Sequence, residues 1–81
     1  MHFTYILYSD KKNKYYIGST SNIDERLSKH NSDHKGYTGG FGDWKVVYQE
    51  IYETKSEANQ RELQIKKWKS RKMIENLVSG N

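Results

Sequence analysis

The stretch YYIGSTSNIDERLSKHN, residues 15–31, sets two phenols, a guanidinium and an imidazole close together along the chain. Arg26 and His30 are four residues apart, the spacing that puts two side chains on adjacent turns of one helix face. A guanidinium offers a planar fork that meets a carboxylate or a phosphate through two parallel hydrogen bonds, and an imidazole changes charge near neutral pH. Together these groups suit anion recognition beside proton transfer. The plainer alternative for Arg26 is a surface arginine whose stem packs on a sheet, and for His30 a satisfied histidine at a helix end.

A second group able to do chemistry is Glu62. In ANQRELQIKKW, Ala58, Glu62 and Ile65 recur at i, i+4 and i+7, so a carboxylate interrupts the stripe that should meet the core. Buried carboxylates are paired or bound to cations, which leaves Glu62 either in an ion pair, the commoner arrangement, or on a metal ion. His30 and His34 also have the i, i+4 spacing of a transition-metal pair, but NSDH reads as loop and argues against it. The run KKWKSRK places Lys66, Lys67, Lys69 and Arg71 around Trp68. It reads either as a phosphate-binding surface or as a solvated helix face with one buried tryptophan.

The elements that must position these residues follow from pattern. HFTYILYS alternates large apolar residues on both faces, as in a strand covered from two sides. DKKNK is a polar turn, and YYIGS a second strand pairing antiparallel with the first. Ser21 with Asp24 fits a capping box opening a helix over residues 22–30, with Ile23 and Leu27 facing inward. A glycine-rich loop holding Gly36, Gly39, Gly40 and Gly42 lacks the Gly-Lys-Ser/Thr ending of a P-loop. WKVVYQEIYE, residues 44–53, has the β-branched and aromatic content of a third strand. Thr54 with Glu57 caps a helix over residues 55–69, and a last helix covers 71–78. The expected fold class is α+β, a three-stranded antiparallel sheet flanked by helices, in one domain over residues 1–81.

Composition narrows the function classes. The sequence has no cysteine, which excludes disulfides, zinc-thiolate sites and thiol catalysis. No apolar run approaches the roughly 20 residues that span a bilayer, and no secretory signal is legible, so a cytoplasmic location away from membranes is expected. A formal net charge of +4 favours a polyanionic partner.

Taken together, these residues resemble the GIY-YIG nuclease superfamily, which includes homing endonucleases and the nuclease module of the bacterial excision-repair machinery. The resemblance is closest to small single-domain bacterial members and spans about Phe3 to Trp68. Phe3-Thr4-Tyr5 stands where the family has Gly-Ile-Tyr, and Tyr16-Ile17-Gly18 matches the second motif in full. Arg26 follows Tyr16 by ten residues, as the family arginine does, His30 stands one turn later, and Glu62 fits the metal-binding glutamate. Phe3-Thr4 in place of Gly-Ile, and Ser19 where some relatives carry lysine, bear on substrate preference more than on fold. Asn76 is a loosely spaced counterpart of a family asparagine.

The resemblance implies a DNA endonuclease, structure-selective and linked to repair or recombination, with Mg²⁺ or Mn²⁺ held by Glu62. It implies that Arg26 clamps the scissile phosphate, Tyr16 acts as base on water, Tyr5 orients water or phosphate, and His30 relays a proton or hydrogen-bonds Tyr16. A free phenol titrates at about 10, so such a base depends on neighbouring cations. With no appended DNA-binding domain, site selection is expected from Lys66, Lys67, Lys69 and Arg71 or from a protein partner. The alternatives are a non-catalytic nucleic-acid-binding module on the same fold, or a protein-interaction domain.

Overall fold

The computed structural model describes residues 1–32 and 42–80. Within them the chain runs β1 (His2–Ser9), β2 (Lys14–Thr20), α1 (Ile23–Asn31), β3 (Lys45–Tyr52), α2 (Lys55–Trp68) and α3 (Arg71–Ser79). The sheet is antiparallel in the order β2-β1-β3, so the most apolar strand lies in the middle. His34 and the glycines 36, 39 and 40 fall outside the described residues, and the histidine pair and most of the glycine loop go with them.

Alternation in β1 builds a layer on each side. Tyr5 and Leu7 join Trp44 under α1, with Tyr16, Ile23, Leu27 and Val46 packed around them. Ile6 and Ile17 point the other way onto Ile65 of α2, with Trp68, Ile74 and Leu77 completing that layer. Thr4, on the same side, is fully buried and donates its hydroxyl to the Ala58 carbonyl at 2.8 Å, tying the central strand to α2. The two-sided burial expected of this strand is therefore observed.

The structure shows the cap of each helix, and two differ in detail from the pattern reading. The N-cap of α1 is Asn22, whose side chain accepts from the Glu25 amide at 3.0 Å; Ser21 lies one residue too early for that bond. Thr54 does cap α2, accepting from the Glu57 amide, but Glu57 answers by accepting the Thr54 hydroxyl. Capping of α3 falls to Ser70, which accepts from the Met73 amide, directly after Lys69 ends α2 at φ +48°. That left-handed residue reverses the chain and makes a corner between α2 and α3.

The β1–β2 hairpin is held from outside itself. Asp43 accepts from the Ser9 hydroxyl at 2.6 Å and the Lys11 amide at 2.9 Å, contacts that hold its carboxyl below the usual range. Arg71 reaches back from α3 to donate to the Asn13 carbonyl and side-chain oxygen, and lies over the Tyr15 ring.

Candidate active site

Register places the two tyrosine motifs side by side. Tyr5 on β1 pairs with Gly18 on β2, and Leu7 pairs with Tyr16, so Tyr5, Gly18 and Tyr16 share the face under α1. A methyl group at residue 18 would meet the Tyr5 hydroxyl at 2.5 Å, its ring carbon Cζ at 2.7 Å and a Tyr16 ring carbon at 3.1 Å. The glycine thus leaves a gap that the Tyr5 phenol fills.

The last turn of α1 closes over the same spot. Asn31 accepts from the Trp44 amide at 2.8 Å and donates to the Trp44 carbonyl at 3.0 Å, fastening the helix end to the start of β3. This fixes His30, which is only 8% exposed, with its ring 4.5 Å from that of Tyr16. The Tyr5 hydroxyl and His30 Nε2 are hydrogen-bonded at 3.2 Å, the direction depending on the imidazole tautomer. The family resemblance links His30 to Tyr16. A hydrogen bond joins His30 to Tyr5, which crosses Gly18, and the Tyr16 ring packs against the imidazole at a tilt of 56°.

Burial pushes the Tyr5 phenol well above its ordinary value; nearby Tyr16 and Glu62 add to the rise, and Arg26 opposes it. The hydroxyl therefore stays protonated over any working pH and serves as a hydrogen-bonding group. The same couplings put Tyr16, Arg26 and Glu62 within electrostatic reach of one buried phenol. Tyr5, Tyr16 and His30 are thus in direct contact, whereas Arg26 and Glu62 reach the Tyr5 phenol through their charge.

Glu62 enters from the other side of the sheet, since Ser19 pairs with Thr4 and faces α2. The Ser19 hydroxyl lies 2.7 Å from Glu62 Oε1 and 2.5 Å from Asn59 Oδ1, while Lys66 donates to Glu62 Oε2 at 2.6 Å. Lys66 is therefore the partner of Glu62 along α2, which is the ion-pair alternative for this inward carboxylate. Asn59 is not singled out by the sequence pattern, although it lies three residues before Glu62 and so on the same helix face.

Arg26 is exposed and lines a cleft of about 220 Å³ with Ser19 and Asn59, facing Lys55 at the start of α2. No carboxylate lines this cleft among the described residues, so it is a positively charged recess beside the Glu62 corner. Of the basic run, Lys67 and Lys69 are exposed, whereas Arg71 is engaged with Asn13 and Glu75.

The Glu62 corner has the chemistry of a hard-cation site. Ser19 Oγ, Asn59 Oδ1 and Glu62 Oε1 form an oxygen-only set in which one hydroxyl proton faces two acceptors. Among the described residues no three histidine, cysteine or carboxylate side chains converge. Mg²⁺ commonly takes one or two carboxylates and fills its remaining positions with water and substrate oxygens, so the residues present fit a hard ion and not a zinc-type site.

A family model for the GIY-YIG catalytic domain matches residues 1–76. A UPF0213 protein of Clostridium perfringens is 43% identical over 68 residues, covering 83% of this chain and 72% of the relative. One from Staphylococcus haemolyticus is 40% identical over 79 residues, covering 91% and 94%. The solution NMR structure of a UPF0213 protein from Bacillus halodurans superposes with a TM-score of 0.59 at 35% identity, covering 96% of this chain and 82% of that one.

Proposed function

We propose that this chain, which belongs to the GIY-YIG catalytic domain family, is a metal-dependent endonuclease that hydrolyses DNA phosphodiesters. The observation that carries this reading is the cleft in which Arg26 meets Ser19 and Asn59 of the Glu62 corner, next to the strands that hold Tyr5 and Tyr16 against His30. Structure selectivity and a role in repair or recombination belong to the same proposal.

Phosphodiester hydrolysis needs an activated water, a neutralised phosphate and a stabilised leaving oxygen. The cleft between Arg26 and Lys55 receives the scissile phosphate, and the Arg26 fork meets the charge that builds in the transition state. Tyr16, as its phenolate, takes the proton from water as the water oxygen bonds to phosphorus and the bond from phosphorus to the leaving oxygen breaks. Tyr5, held protonated and locked over Gly18, fixes His30, and His30 packs against Tyr16 so that its ring keeps one orientation. Ser19, Asn59 and Glu62 would hold Mg²⁺ or Mn²⁺, which when bound neutralises phosphate charge and acidifies water. Lys66 must yield its place on Glu62 for the ion to use both carboxylate oxygens.

That ion pair is also what favours the second reading, a DNA-binding module without hydrolysis. Both are tested by incubating the protein with duplex, nicked, flapped, branched and single-stranded DNA, in Mg²⁺ or Mn²⁺ against chelator. Metal-dependent cleavage lost in Glu62→Gln, with folding and DNA binding kept, is the expected result. Binding without cleavage of any substrate selects the second reading. If Glu62→Gln cleaves like the wild type, Glu62 is a structural ion-pair residue.

A further inference from the structure

Beside the β2 edge, the corner where α2 turns into α3 leaves a groove of about 350 Å³. It is lined by Ile17, Ile74 and Tyr15 over the fully buried Ile65, and its rim carries Lys14 and Lys69 together with Lys66 and Arg71, which are paired with Glu62 and Glu75; no carboxylate lines the groove itself among the described residues. An apolar floor inside a cationic rim is complementary to an uncharged ring attached to a phosphate.

Lys69 supplies an independent observation. It sits at φ +48°, a conformation that glycine adopts without strain and that helices most often end on with glycine. A lysine at that position puts a charge on the groove rim at a cost in backbone strain, and strain of this kind gathers at functional positions. Lys66 links the groove to the candidate active site, since its stem lines the groove while its ammonium reaches Glu62.

We infer that this groove binds one unstacked nucleotide of a DNA strand, its base on Ile17 and Ile74 and its phosphate at Lys14 and Lys69. The inference rests on the DNA reading above and gives it a substrate class: DNA with an unpaired nucleotide beside the scissile phosphate. A paired base reaches the groove only by leaving the stack, whereas a bulged or single-stranded one enters without that penalty. Selectivity for structure then arises without sequence readout.

The test has two arms. In the first, backbone amide shifts are followed while the protein is titrated with deoxyadenosine 5′-monophosphate, deoxyadenosine or inorganic phosphate. Saturable shifts at Ile17, Ser70 and Ile74 are expected with the mononucleotide and weaker ones with either fragment. Equal response to phosphate alone means a plain anion site and overturns the base contact.

In the second arm, affinities for a duplex with a one-nucleotide bulge and for the matched duplex are compared in wild type, Lys69→Gly and Lys69→Asn. The wild type is expected to prefer the bulge by about tenfold, the scale of one base contact. Both variants tolerate the left-handed conformation, so they should melt no lower than wild type yet lose most of that preference. A preference that survives in both folded variants, or a wild type that binds both duplexes equally, overturns the groove while cleavage activity leaves the nuclease reading standing. Mononucleotide shifts in a protein that cleaves no DNA overturn the nuclease reading and leave the groove.

Discussion

At the scale of single residues, the site divides labour between two tyrosines that look alike in sequence. Tyr5 is 1% exposed, with a phenol held protonated by burial, and Tyr16 is half-buried against His30. Tyr16→Phe removes one oxygen and is expected to slow cleavage about 10²–10⁴-fold, the usual scale for a positioned acid–base group. Tyr5→Phe should cost less in rate and should unlock His30, visible as a shift in the imidazole NMR resonances. Near-full activity in Tyr16→Phe with a large loss in Tyr5→Phe would exchange the two roles. Gly18→Ala asks whether the gap matters, since its methyl must displace the Tyr5 ring. It is expected to destabilise the fold by roughly 1–3 kcal/mol, the cost of overpacking a core, and to abolish cleavage. Unchanged melting and activity would show that Tyr5 moves aside freely.

At the scale of elements, α2 is fastened to β3 by a cluster around Glu50. Its carboxylate accepts from Tyr48, from Tyr52 at 2.5 Å, and from Arg61 Nε at 3.0 Å and Nη2 at 3.2 Å, while Arg61 stacks on Trp68. Burial alone would push the Glu50 carboxyl up, but the bonds from Arg61, Tyr48 and Tyr52 outweigh it and hold it low. The Glu50 bond pushes the Tyr52 phenol up to about 12. Because the folded carboxyl is the stronger acid, its contribution is complete above the unfolded value of about 4.3 and disappears as pH falls through the lower folded value. Glu50→Gln is expected to cost about 1–3 kcal/mol at pH 7, on the scale of losing charged hydrogen bonds. That corresponds to roughly 4–8 °C in Tm per kcal/mol for a domain of this size. The gap between variant and wild type should narrow as the pH is taken from 7 to below the ordinary carboxylate range. A gap of the same size at both pH values would mean that shape rather than charge holds the cluster.

For the molecule as a whole, a formal net charge of +4 and an exposed Lys67 on α2 favour electrostatic capture of DNA. Affinity for any one DNA is expected to fall steeply with salt, by about 0.9 in the logarithmic slope for each phosphate neutralised. Lys67→Ala should flatten that slope by about one unit and weaken binding alike across sequences. A slope unchanged by the substitution removes Lys67 from the contact surface. Among the described residues no helix is long and apolar enough to cross a membrane.

Much of this was legible from the chain. Period-two alternation in HFTYILYS determined a central strand buried on both faces, because side chains of a strand point alternately to its two sides. Helical spacing determined that Glu62 would interrupt an inward stripe and need a partner, and the ordered Tyr5, Tyr16, Arg26, His30 and Glu62 determined the family. Only the tertiary structure decided which partners these residues take. Pairing register set Tyr5 across Gly18, and Asn31 on Trp44 set His30 against that phenol, so the imidazole is hydrogen-bonded to the first tyrosine. Arg71 went to the Asn13 turn because α3 turns back from Lys69 toward the β1–β2 hairpin, whereas the Lys66–Glu62 pair, four residues apart on α2, is local. The choices at Tyr5, His30 and Arg71 depend on contacts between residues far apart in the chain, and local spacing carries no information about such contacts.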